Sequence, residues 1–151
     1  MADTIREKII AAMTSTLKNY SEYTTISSPD VHRGRIIFDP DVDPLPLISV
    51  VPRVESAEPT TYQTTDCTMP VDVSCLVPVG ESNPSELGEA VLGELIKAAL
   101  SAVPSDAESI FYTGGGIDEY PDEMGQAVLT VGISLSVKYK TDTDDPYNLT
   151  T

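Results

Sequence analysis

The chain reads as an α+β domain, a mainly antiparallel sheet with two helices packed on one face. Two segments, residues 4–20 and 83–103, carry apolar residues at spacings of three and four, the mark of amphipathic helices. Within residues 126–140 one face, Ala127, Leu129, Val131, Ile133, Leu135, Val137 and Tyr139, is apolar without exception, the mark of a half-buried strand. The order helix, strands, helix, two strands suits an antiparallel sheet covered on one face.

The first helix places Ile5, Ile9, Met13, Leu17 and Tyr20 on one stripe, and Thr4 with Glu7 has capping-box spacing. It stops within Asn19 to Ser28, ahead of Pro29. A short strand is expected at Val31–Phe38, with His32, Arg33 and Arg35 as polar members. The loop DPDVDPLP follows, in a region where prolines cluster. Leu47–Glu55 is a second strand, and Pro52 argues for an edge or a bulge there. Thr68–Val77 sets Met69, Val71, Val73, Cys75 and Val77 against Thr68, Asp72 and Ser74.

The second helix has Asn83 as its cap, Pro84 in the first turn and Glu86 completing a capping box. Leu87, Val91, Leu95 and Ala98 with Ala99 form one stripe; Leu92, Ile96, Leu100 and Val103 widen it. An arc this broad predicts burial against a sheet or a neighbour. Pro104 ends it. Ala107–Thr113 is the next strand, closed by a flexible turn at Gly114-Gly115-Gly116. A mobile acidic loop is expected over residues 117–124, carrying Asp118, Glu119, Asp122 and Glu123. The last strand, Gln126–Lys140, would span about 50 Å, more than its own sheet should need, unless it bends at Gly132. Beyond Tyr139 the alternation stops, so residues 141–151 read as an extended assembly segment with Tyr147 and Leu149 as its large apolar groups.

The 151 residues fit one domain, 1–151, large enough to bury a core. Formal net charge is −15, from 24 acids against 9 bases. Such a surface repels nucleic acid. It serves solubility, or it is a surface past which DNA must move without sticking; charge alone does not choose. Cys67 and Cys75 share one face of an extended segment. At ~3.3 Å per residue they lie roughly 26 Å apart, too far for a bridge. Free thiols suit a reducing compartment. No signal-peptide pattern and no membrane-length apolar run occurs, so a soluble chain made in a cytoplasm is expected.

Chemistry-bearing patterns fail one after another. Asp39, Asp41 and Asp43 have the opening spacing of a calcium loop, but its glycine position is Pro44 and its closing acid is Val50. The glycine triplet lacks the lysine and hydroxyl of a phosphate loop. His32 is the only histidine, so no Ser-His-Asp or Cys-His centre assembles around another one, and zinc lacks a ligand set. The acid pairs Asp118/Glu119 and Asp122/Glu123 could suggest a glycosidase, but no tryptophan is present to stack sugars. No catalytic centre, metal or cofactor is expected. The cluster His32-Arg33-Gly34-Arg35 concentrates charge opposite to the protein's own and could pair with the acidic loop of a neighbouring subunit.

The amino-terminal helix, the proline-rich middle, the NPSE-capped helix and the final strand running into VKYKTDTDDPY together resemble the tail terminator (tail completion, or head–tail joining) proteins of long-tailed bacteriophages. The resemblance covers most of the chain in order and length. It is most specific at Tyr139, Lys140, Thr141 and the turn Asp145-Pro146-Tyr147; Lys140 stands where the family often has arginine. It implies a structural virion protein, not an enzyme: a hexameric ring of this chain that caps the head-proximal end of the tail tube and halts tube growth. The implied partners are the tail tube protein and the head connector or stopper, with genome DNA passing through without specific binding and no membrane involved. The implied location is the virion neck, and host cytoplasm during assembly. Asp145, Pro146 and Tyr147, with His32, Arg33 and Arg35, would then make subunit or tube contacts. The acids at 118, 119, 122 and 123 would face the channel. The alternatives are another neck or connector protein and, from a different class, a small acidic enzyme or ligand-binding module.

Overall fold

The computed structural model describes residues 3–34, 44–80, 82–121 and 128–149. Along the chain run α1 (Ile5–Asn19), β1 (Asp30–Arg33), β2 (Leu47–Pro52), β3 (Ser56–Pro59), β4 (Thr64–Pro78), α2 (Pro84–Ala99), β5 (Ser109–Glu119), β6 (Val128–Asp142) and β7 (Asp145–Leu149). Both helices start on the predicted caps. The Thr4 hydroxyl accepts the Glu7 amide, and the Asn83 side chain accepts the amides of Ser85 and Glu86, satisfying donors that the first helical turn leaves open.

The scaffold is the antiparallel pair β4 and β6, joined over 15 residues each. The sheet order is β1-β2-β4-β6-β5. Because β4 and β6 are so long, each takes two neighbours on its outer side: β2 then β3 on β4, and β5 then β7 on β6. The last strand therefore does not outrun its sheet, as the sequence had suggested; β4 pairs with it to Asp142. The sheet is also mixed rather than purely antiparallel, since β1 runs parallel to β2. The first strand ends at Arg33, short of the expected Phe38; residues 35–38 lie outside the described residues. The second ends at Pro52 rather than Glu55, and Ser56–Pro59 is a separate strand.

Two prolines are placed as chain chemistry requires. Pro52 lies beyond the last residue of β2 that pairs with β1, Val50, so its missing donor costs no ladder bond there. Pro70 sits inside β4, where its carbonyl accepts the Arg53 amide from the gap between β2 and β3. A residue's amide and carbonyl face the same neighbour in a strand, so its absent N–H also faces that gap.

One face of the sheet forms the core. Met69, Val71, Val73, Cys75 and Val77 of β4 and Leu129, Val131, Ile133, Leu135, Val137 and Tyr139 of β6 are buried, with Ile48 and Val50 of β2 in the same rows. Ile5, Ile9, Ile10, Met13 and Leu17 of α1 and Val91, Leu95 and Ala98 of α2 close that face in one cluster. Both helices thus cover one face, as predicted. Burying each such Leu, Ile or Val contributes about 1.5–3 kcal/mol.

The glycine triplet is not a turn. It runs inside β5, paired to Ser134, Ile133 and Gly132 of β6, with irregular register on both sides, between Tyr112 and Gly114 and between Ile117 and Glu119. A Cβ at Gly115 would come within 2.6 Å of the Gly132 carbonyl oxygen and 2.9 Å of Ile133, so this close approach of two backbones needs glycine. Ile117, Asp118 and Glu119 are therefore strand residues, not a loop. Residues 122–124 lie outside the described residues.

Candidate assembly interface

Among the described residues no strand pairs with the outer edge of β1 or of β5, which end the sheet on opposite sides. Eleven residues of β5 leave backbone donors and acceptors open on one side. No proline, lysine or arginine occurs in the strand to blunt it, though its register irregularities kink it.

The two ends differ in charge. On β1, His32 Nε2 lies 2.8 Å from Asp30 Oδ2, and Arg33 makes two bonds to Glu7 of α1, at 2.7 and 2.6 Å. Hydrogen bonding to Arg33 lowers the Glu7 pKa and raises that of Arg33. The basic cluster read from the sequence is thus partly neutralised within the chain, and both members of the Arg33–Glu7 pair stay substantially exposed. Arg35 lies outside the described residues. At the other end, Asp118 and Glu119 are exposed on β5; a Cβ on Gly132 would strike the Asp118 carboxylate, which leans over the helix-free face. Asp122 and Glu123 lie outside the described residues.

The helix-free face is mixed: at the β2 end Leu47, Ser49 and Leu76 are buried, and elsewhere it is largely polar. It carries Thr68, Asp72 and Ser74 of β4 opposite Lys138, Ser134 and Gly132 of β6, and Arg53 reaches Asp72 at 2.8 Å. Lys138 also stands 5.9 Å from the Phe111 ring.

The second helix ends at Ala99, short of the expected Pro104, and its apolar arc is buried on one side and half-buried against the same core on the other. Gly88, Val91, Leu95, Ala98 and Ala99 are buried; Gly88 is so close to Ile117 of β5 that a Cβ would come within 2.4 Å of it. Leu92 and Ile96 are half-buried, and Leu100 and Val103 are exposed by 38% and 53%. On the opposite flank, the Glu94 carboxylate accepts the backbone amides of Thr24, Thr25 and Ile26 and so ties the segment after α1 to α2. Burial pushes the Glu94 pKa up, but these bonds together outweigh it and the net shift is downward.

The segment expected as an extended assembly element over residues 141–151 folds back on its own subunit as β7, Asp145–Leu149. Asp142 pairs with Asp145 and Thr141 with Leu149. Asp144 turns the chain with φ of 63°, and Asp145 accepts the Tyr147 amide at 3.0 Å. Thr141 is buried, whereas Tyr147 is 47% exposed. Pro146 and Asp145 wall a cleft of about 380 Å³ with Thr4, Arg6, Glu55 and Tyr139. In it Glu55 accepts the Tyr139 hydroxyl at 2.5 Å and the Arg6 guanidinium at 2.7 Å. Burial, then the Glu55 carboxylate, pushes the Tyr139 pKa up. Both free cysteines are buried, and burial pushes the Cys67 thiol up and that of Cys75 up to about 12.

Sequence reasoning missed the exposed Val54, Tyr62, Phe111 and Tyr112. Their exposure depends on where strands end and pair, which periodicity does not encode. Among the described residues no three His, Cys, Asp or Glu side chains gather to hold a metal, and no helix is long and apolar enough to cross a membrane. Asp39, Asp41 and Asp43 lie outside the described residues. No protein-family model matches the chain, and no curated protein matches it in sequence.

Proposed function

We propose that the chain is a structural virion protein, the subunit of a ring that caps the head-proximal end of a phage tail tube. The ring ends tube polymerisation and joins the tail to the head connector, and DNA passes through it. The observation that carries this reading is the pair of open sheet edges on opposite sides of one subunit. By the pairing directions along the sheet, β5 runs antiparallel to β1. Subunits added head to tail in one orientation therefore bring β1 beside β5 in the more stable antiparallel sense. A repeated heterologous contact of that kind closes into a ring when its rotation allows.

Arg33 on one edge, although paired to Glu7, stays exposed, and Asp118 and Glu119 are exposed on the other, so the same contact can bring a guanidinium towards carboxylates. With the helices outward, the helix-free face lines the hole, where Asp118 leans over a face on which Arg53 and Lys140 pair with Asp72 and Asp66. The resemblance to tail terminators supplies the hexamer, the tube protein and the connector as partners, and the virion neck as the location. Deleting the coding sequence from its phage tests this: tails of uncontrolled length that fail to join heads are expected. Tails of normal length that carry heads would remove the reading.

A further inference from the structure

We infer that β1 of a second copy of this chain docks on the first stretch of β5, Ser109–Tyr112, and covers Phe111 and Tyr112. The inference rests on the head-to-tail reading above and names the register of that contact. Irregular pairing with β6 divides β5 into two regular stretches, Ser109–Tyr112 and Gly114–Ile117. Such an irregularity bends a strand, so a short straight strand pairs along one stretch and not across both. With four residues, β1 fits either. Side-chain faces narrow the choice. In β1, Val31 and Arg33 lie on the helix-covered face, in register with the buried Ile48 and Val50, and His32 lies on the helix-free face. In β5, Ile110, Tyr112, Gly115 and Ile117 pair with core residues of β6, whereas Phe111 and Gly116 pair with Ser136 and Gly132 of the helix-free face. A neighbour that continues the sheet with its helices on the same side must match these faces.

One antiparallel register in each stretch sets Val31, His32 and Arg33 opposite β5 residues of the right faces. In the second stretch Arg33 meets Gly115, His32 meets Gly116 and Val31 meets Ile117. Both glycines offer no side chain, and Asp30 comes beside Asp118 and Glu119, acid against acid. In the first stretch Arg33 meets Ile110, His32 meets Phe111 and Val31 meets Tyr112. Every partner there is a large apolar or aromatic group, and aromatic pairs and aromatic pairs with β-branched residues are stabilising cross-strand contacts. Asp30 then stands by Thr113, clear of Asp118 and Glu119. Phe111 and Tyr112, on the two faces of this open edge, are 54% and 39% exposed in the single subunit, and a docked strand covers both. Charge draws the two edges together, but β1 carries Asp30 as well as Arg33, so packing sets the register.

The test is disulfide scanning of the full chain, with Cys67 and Cys75 kept because both are buried. Three strands separate β1 from β5 within one subunit, so a link forms only between copies. Successive cross-strand pairs alternate in spacing, so each register is probed at two adjacent pairs. Val31→Cys with Tyr112→Cys, and His32→Cys with Phe111→Cys, probe the first stretch. Val31→Cys with Ile117→Cys, and His32→Cys with Gly116→Cys, probe the second. After mild oxidation of the assembled chain, a non-reducing gel should show a ladder of linked copies from at least one of the first two variants and from neither of the last two. A ladder from either of the last two overturns the register while leaving the edge-to-edge ring standing. An assembled chain that gives no ladder from any variant overturns the β1–β5 contact, and with it both readings. Phe111→Ser with Tyr112→Ser changes two exposed positions and should leave circular dichroism as in the parent. In sedimentation velocity it should raise the concentration needed for assembly by about tenfold or more, and unaltered assembly overturns the register. A parent that stays monomeric up to its solubility limit overturns both the register and the ring.

Discussion

The two helices begin alike and end differently. Each is capped by the residue its sequence names, and each lies on the same face of the sheet. In α1 all five large core residues, Ile5, Ile9, Ile10, Met13 and Leu17, are at most 3% exposed, and its outer stripe is polar or small. In α2, Val91, Leu95 and the alanines are buried, Leu92 and Ile96 are half-buried against the same core, and the exposed Leu100 and Val103 lie at and beyond the helix end. The sequence allows a sheet or a neighbour to cover that arc, and the subunit's own core covers it fully on one side and partly on the other.

The contrast is broken or sharpened first by core truncation. Ile9→Ala and Leu95→Ala should each cost about 2–5 kcal/mol in chemical denaturation. Leu100→Ala should cost under about 1 kcal/mol in the isolated subunit. A Leu100→Ala loss equal to that of Leu95→Ala would show Leu100 to be core. Next in size is Glu94→Gln, which removes the carboxylate that binds the amides of Thr24, Thr25 and Ile26 and should cost about 1–3 kcal/mol. The same group predicts a pH dependence. Its folded pKa is lowered, so its contribution is present above its unfolded value and lost as pH falls through the folded one. Glu94→Gln should flatten the acid limb of a stability-against-pH curve, and an unchanged limb would count against the tie. The caps come after: Thr4→Ala and Asn83→Ala should each cost about 1 kcal/mol by thermal melting. Smallest is Arg33→Ala, whose exposed pair with Glu7 should be worth under about 1 kcal/mol to the subunit.

Local grammar was legible wherever one residue decides one hydrogen bond or one face. Thr4, Asn83 and the alternation from Leu129 to Tyr139 stand where their sequence puts them. Non-local contacts were not legible. Gly114 to Gly116 read as a turn because glycine weakens strands, but Gly115 answers to the backbone of Gly132 on another strand. Asp144 is of a residue type that tolerates the left-handed conformation, but nothing local says that the turn folds Asp145–Leu149 back on β6. The parallel pairing of β1 with β2 joins two strands with 13 residues between them, and neither pattern names the partner. Of the candidate contact residues, His32 and Arg33 were found as a charged cluster, but their position on a sheet edge opposite Asp118 and Glu119 follows only from strand order.

The most direct test of head-to-tail assembly through opposite sheet edges is cryo-electron microscopy of the assembled chain. The expected image is a closed ring of identical subunits with β5 of each beside β1 of the next, helices outside and the helix-free sheet face around the hole. Rings whose β1 and β5 edges remain apart, or paired β5 strands about a twofold axis, would contradict it.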